Sequence, residues 1–248
     1  SQHHIKKCII EMGGKNAIVI DSDADLDEAV EGVLNSAFGF AGQKCSAASR
    51  VIVLAEVYEK FTQRLKDAAA SWVCGSSLNP TTDYGPVVDQ DAMMRILDVI
   101  SDAEKKHQLL FKGQNVHGGY YIPATIFTNV QSQDSIAQEE IFGPVLAVLV
   151  AKDFPEALKI ANSTQYALTG GLYSRSPANI QFAKENFEVG NLYINRGITG
   201  AMVNRHPFGG FKMSGVGSKT GGPDYLLQFV EPVCVTENTM RRGFAPQS

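Results

Sequence analysis

One thiol stands where a thiol could do chemistry. Cys45 lies in the run Phe38-Gly39-Phe40-Ala41-Gly42-Gln43-Lys44-Cys45-Ser46-Ala47-Ala48-Ser49-Arg50, among glycines, small side chains and a lysine. The thiolate is the nucleophilic form, and turn N–H groups with a neighbouring cation lower a pKa that starts at about 8.5. The sequence therefore predicts a depressed pKa at Cys45, with Lys44 either helping or facing solvent. A nucleophile of this kind works with a base. Glu11, in Glu11-Met12-Gly13-Gly14-Lys15, lies 34 residues earlier. A carboxylate held in an apolar pocket has a raised pKa and takes protons well. The same residues are compatible with a plain turn bearing a solvated glutamate.

Two more runs carry polar groups in unusual settings. Glu139-Glu140-Ile141-Phe142-Gly143-Pro144-Val145 places paired carboxylates before an aromatic residue and a Gly-Pro turn. It could bind a polyol, a metal, or nothing. The stretch Asn195 to Lys219 is glycine-rich and too long for a casual connector. It contains Thr199-Gly200-Ala201 and Pro207-Phe208-Gly209-Gly210, whose N–H groups could face an anion. Gly217-Ser218-Lys219-Thr220 is not a phosphate loop, because Ser218 and Met213 stand where that motif requires glycine. No GxGxxG follows a strand. Among the histidines, His206 lies in a suggestive loop, but no papain-like pattern accompanies it. Cys8, Cys74 and Cys234 read as small core residues. No CxxC supports a zinc or thioredoxin site. Arg50 reads as a structural ion pair or cap.

These groups need a frame. Asn16–Ile20, Val51–Leu54, Val145–Val150 and Asn191–Ile194 read as apolar strands, with shorter ones at Cys8–Glu11, Leu109–Lys112 and Leu172. Tyr121–Phe127 is extended. Helical spacing after an Asp25 cap, from Val57 to Trp72, and over Gln90–Lys106 (Met93, Ile96, Leu97 and Ile100 inward) gives three helices. Pro155 and Pro177 open two more. Pro223–Phe229 is a short helix and Val233–Glu237 a last strand. Alternation of this kind predicts an α/β fold with a mostly parallel sheet covered on both faces, in one domain. The net charge of −4 over 248 residues argues against a general nucleic-acid surface. No apolar run is long enough for a membrane helix and no secretory signal precedes the fold. A reducing compartment, the cytoplasm or a mitochondrial matrix, is expected. The opening residues, without a start methionine, read as the cut edge of a longer chain.

Taken together, the four runs resemble the aldehyde dehydrogenase superfamily. Glu11 to Lys15 is similar to its general-base motif, and Gly42-Gln43-Lys44-Cys45 to its nucleophile motif. Glu139 to Val145 resembles its cofactor-ribose motif, and Pro207 to Gly215 its late signature. Cys45-Ser46, Asn195 to Val203 and the closing Glu237 to Phe244 resemble the branch acting on glutamate semialdehyde, some of whose members are bifunctional proline-oxidising proteins. The resemblance implies a three-layer α/β sandwich forming the C-terminal catalytic domain over residues 1–248, with an NAD-binding Rossmann domain absent from this chain. It implies Cys45 as nucleophile, Glu11 as base, and Glu140 and Phe142 at the nicotinamide end of NAD. Ser46, Gly200 and Ala201 would anchor a substrate carboxylate, with Phe208 as an apolar wall and no metal. It also implies homo-oligomerisation of the full-length protein, to which the final strand would contribute.

Overall fold

The computed structural model describes residue 3, residues 5–240 and residue 243. In chain order the elements are β1 (Ile10–Glu11), β2 (Asn16–Ile20), α1 (Leu26–Phe38), β3 (Ala48–Leu54), α2 (Tyr58–Ala69), α3 (Gln90–Glu104), β4 (Gln108–Lys112), β5 (Thr125–Thr128), α4 (Ser135–Gln138), β6 (Val145–Ala151), α5 (Phe154–Ala161), β7 (Tyr166–Ala167), β8 (Thr169–Tyr173), α6 (Pro177–Asn186), β9 (Asn191–Ile194), β10 (Phe211–Lys212) and β11 (Gly215–Val216). Seven strands form one sheet in the order β4-β5-β6-β3-β2-β8-β9. Every neighbouring pair is parallel except β4–β5, at one edge. The central strands are buried on both faces, which is why β2, β3 and β6 are apolar almost throughout. Helices α1 and α2 pack together on the sheet, as do α5 and α6, so the sheet lies between two helical layers.

Local signals act where the sequence places them. The Asp25 carboxylate accepts the Asp27 and Glu28 N–H groups and starts α1. Pro155 and Pro177 sit in the first turns of α5 and α6. Arg50 is a cap rather than an ion pair. It is 1% exposed and donates to the carbonyls of Ile160 and Ala161 at the end of α5, and to that of Lys15.

Several expectations are corrected. Val233–Glu237 forms no strand: no partner strand lies beside it among the described residues, and Val233 and Val235 are exposed. Helix α2 stops at Ala69, and Trp72 reaches the core from the following loop by packing its edge on Phe38 at 6.2 Å. Leu97 sits on the outer side of α3. Cys8 and Cys234 are exposed, because each lies in a terminal stretch that no layer covers. Arg241, Arg242 and Phe244 of the closing run fall outside the described residues. No helix among the described residues is long and apolar enough to cross a membrane.

Candidate active site

The thiol is delivered by an unusual turn. Helix α1 ends at Phe38, and Phe40, Ala41 and Gly42 follow with φ of 58°, 56° and 68°. Each left-handed non-glycine residue costs about 1–2 kcal/mol, so the surroundings must hold the turn. The Gly143 carbonyl occupies the space a Gly42 side chain would need. The Gln43 side chain donates to the Phe40 carbonyl at 3.2 Å and accepts the Val88 N–H at 2.9 Å. Cys45 emerges half-buried just before β3. Its thiol is pushed up from its ordinary pKa, opposite to the sequence-based expectation. Burial is the main cause and the Glu11 and Glu140 charges add to it, against the Ser46 and Cys45 N–H groups. Lys44 is exposed and is not among the groups that move the thiol.

Glu11 is placed by residues from the other end of the chain. β1 pairs with β11, setting Glu11 opposite Gly215, and the Met12 N–H donates to the Ser214 carbonyl at 2.9 Å. Ser214 is fully buried and its hydroxyl accepts the Ala167 N–H at 3.0 Å. The glycines of the late run serve close backbone packing: a side chain at Gly215 would lie 2.5 Å from the Ile10 carbonyl oxygen. Glu11 lies at the surface. Even so, the protein around its carboxyl and the nearby Glu140 charge raise its pKa, which favours proton acceptance near neutral pH.

Glu140 reaches the same place from the loop after α4. Its Oε1 accepts the Gly14 N–H at 3.0 Å, and its carboxylate fills the space a Gly13 side chain would take. Arg95 fixes the loop by donating to the Ile141 carbonyl at 2.6 Å. Phe142 has φ 55° and is 42% exposed, so an aromatic face stands open on a strained residue. A carboxylate beside an open aromatic face fits the ribose and ring of a nicotinamide. Among the described residues no group of three His, Cys, Asp or Glu side chains could hold a metal ion.

The expected substrate anchors are less tightly gathered. Ser46 is buried beside Cys45. Gly200, at φ +81°, is open, with no atom within 4 Å of where a side chain would begin. Its loop is tied to α1 through Ile198, which is fully buried and whose N–H donates to the Ser36 hydroxyl at 3.1 Å. Phe208 exchanges backbone hydrogen bonds with Thr220. Among the described residues no hydrogen bond links Gly200, Ala201 or Phe208 to Cys45 or Ser46. The sequence reading passed over two buried polar residues at the centre of the site. Lys15 is 2% exposed with its Nζ unpartnered, and Asn16 is 3% exposed. The signal for both was a polar pair opening an apolar strand.

Comparison with known proteins gives the lineage of the chain. Residues 1–235 match the family model for the aldehyde dehydrogenase family. A 1-pyrroline-5-carboxylate dehydrogenase of Geobacillus sp. (strain WCH70) is 47% identical over 234 residues, 94% of this chain and 45% of the relative. The chain therefore spans about half the length of the curated relatives it matches. Proline utilization A (PutA) from Bdellovibrio bacteriovorus, solved after inactivation by N-propargylglycine, superposes with a TM-score of 0.95 at 66% identity, over 100% of this chain and 26% of that one. A Thermus 1-pyrroline-5-carboxylate dehydrogenase with bound NAD gives 0.87 at 49% identity, over 90% of this chain and 43% of that one. The match runs through nearly the whole of the chain, from the run that carries Glu11 past the late glycine-rich stretch, and the chain belongs to the aldehyde dehydrogenase family.

Proposed function

We propose that this chain is the catalytic domain of an NAD-dependent dehydrogenase that oxidises L-glutamate γ-semialdehyde to L-glutamate in proline catabolism. The observation that carries the reading is the meeting of three runs at Gly14, which lies against the Cys45 carbonyl and donates to Glu140 Oε1 at 3.0 Å, with Glu11 three residues before it. The similarity to proteins named 1-pyrroline-5-carboxylate dehydrogenase and PutA supports the substrate.

Glu11 accepts the Cys45 thiol proton and passes it to solvent, the sulfur attacks the aldehyde carbon, a C–S bond replaces the carbonyl π bond, and the carbonyl oxygen becomes an oxyanion facing the Cys45 N–H. Bound NAD supplies the hydride acceptor. Loss of hydride leaves a thioester on Cys45. Glu11 then takes a proton from water, the water oxygen adds to the acyl carbon, and the C–S bond breaks to release the acid. Glu140 would hold the nicotinamide ribose hydroxyls and Phe142 would flank the ring. The Ser46 hydroxyl and the Gly200 and Ala201 N–H groups would hold the α-carboxylate, and Phe208 would line the methylene chain. The remaining cofactor contacts and the second oxyanion donor belong to a preceding Rossmann domain, so residues 1–248 alone do not complete the reaction. The full-length protein is read as a cytoplasmic homo-oligomer.

The test is NADH formation from glutamate semialdehyde by the full-length polypeptide containing these residues. Cys45→Ala abolishes it. Glu11→Gln lowers it by about a hundredfold or more and leaves an acylated Cys45 visible by intact mass. Residues 1–248 alone producing NADH at the full-length rate would refute the two-domain reading. Ester hydrolysis without NAD, with no NADH formed, would replace the dehydrogenase by a thiol esterase.

A further inference from the structure

The carbonyls that follow the thiol are all held, and one side chain holds two of them. Asn16 Nδ2 donates to the Cys45 carbonyl at 2.7 Å and to the Ala47 carbonyl at 2.8 Å. Its Oδ1 accepts the Thr169 N–H at 3.0 Å. The Thr169 hydroxyl donates to the intervening Ser46 carbonyl at 3.3 Å. This happens where the ladder between β2 and β3 is irregular. Asn16 faces Ala48 but Ala17 faces Arg50, so one residue of β3 is left over. A side-chain amide thus supplies bonds that the shifted backbone does not make.

The geometry bears on the thiol through one rigid unit. The peptide between Cys45 and Ser46 is planar and trans, so its C=O and N–H point in opposite directions. Fixing the Cys45 carbonyl on Asn16 fixes the direction of the Ser46 N–H, one of the two backbone N–H groups that favour the thiolate. Gly14 keeps the approach open, since a side chain there would lie 2.9 Å from the Cys45 carbonyl oxygen and 2.6 Å from Asn16 Oδ1.

We infer that Asn16 is the positioning residue of the nucleophile: by holding the Cys45 carbonyl it aims the Ser46 N–H at the sulfur and stabilises the thiolate. The inference rests on the reading of Cys45 as nucleophile. Asn16 makes no hydrogen bond to the sulfur, and it acts through the peptide plane. The charged groups facing Cys45 are Glu11 from β1 and Glu140 from the loop after α4, and substituting Asn16 leaves both in place.

The experiment is the pH dependence of iodoacetamide alkylation on this chain, with the Cys45 and Cys74 peptides resolved by mass spectrometry. Asn16→Ala removes both donations without adding charge. The midpoint for Cys45 should rise by about one unit and its rate at neutral pH should fall about tenfold, with Cys74 unchanged. Asn16→Asp keeps the size and the acceptor for Thr169, and should shift Cys45 the same way. A folded Asn16→Ala whose Cys45 midpoint is unmoved overturns the inference. So does a rise in alkylation at both cysteines with no midpoint shift, which marks general loosening. Failure of both variants to fold also counts against it, because Asn16 would then be a folding residue. If the midpoint shifts as expected but the full-length Cys45→Ala enzyme still oxidises the aldehyde, the functional reading fails and the positioning role stands.

Discussion

Glu140 rests on the backbone of Gly14, whose N–H donates to Oε1 at 3.0 Å, and no side chain at Gly13 separates them. From there its charge raises both the Glu11 carboxyl and the Cys45 thiol. Removing that charge lowers both. Glu140→Gln should move the alkylation midpoint of Cys45 downward, in the direction opposite to Asn16→Ala. An unchanged or higher midpoint would show that Glu140 does not face the thiol in solution.

Lys15 buries an amine with no partner at 2% exposure, and burial lowers its pKa to about 7. An unfolded lysine titrates at about 10.4. Between those values the unfolded chain binds a proton that the fold does not, so the group makes stability rise with pH across that window. Lys15→Met should flatten this rise and be the more stable form at pH 7 and below. Urea unfolding of both proteins at several pH values gives the difference directly. A parallel pair of curves would sink the account.

Arg50 ends α5 by donating to two of its last carbonyls while also binding the Lys15 carbonyl just before β2. It lies 1% exposed among them. Arg50→Met strands these acceptors and should cost about 3 kcal/mol or more in chemical denaturation. Arg50→Lys should recover little, because an ammonium lacks the planar fork that reaches separate carbonyls. Full stability in the lysine variant would contradict this.

Gly190 has the Gly209 carbonyl where its side chain would begin, and its own carbonyl accepts the Lys219 ammonium. The obstacle is backbone and cannot swing aside. Gly190→Ala should therefore cost about 3 kcal/mol or more and raise hydrogen exchange over residues 207–216. Wild-type exchange in that segment would refute the packing argument.

The layered fold was legible because burial on both faces writes continuous apolar strands at Asn16–Ile20 and Val145–Ala151, and because Asp25, Pro155 and Pro177 mark helix starts by local chemistry. The residues Glu11, Cys45 and Glu140 were legible as motifs, and only the family resemblance brought them into one site, since nothing local to Glu11 announces that Gly215 lies opposite it. The two-residue strands β7, β10 and β11 have no periodicity to read. The sign of the Cys45 shift was missed for a related reason. Lys44 is adjacent in sequence, but burial by the fold dominates the shift, and the charges that add to it, Glu11 and Glu140, come from far away along the chain. Val233–Glu237 shows the converse, a β-prone run with no strand beside it among the described residues.

The pairing of β1 with β11 sets an order of assembly. Glu11 leaves a ribosome well before the residues that fix it, Ser214 to Val216. The Cys45 turn, tied to Asn16 and Thr169, has its anchors earlier. During synthesis the thiol is therefore seated before its base. A nascent chain stopped short of residue 214 holds an ordered nucleophile beside an untethered carboxylate, so the hydrolytic half of the site waits for β11.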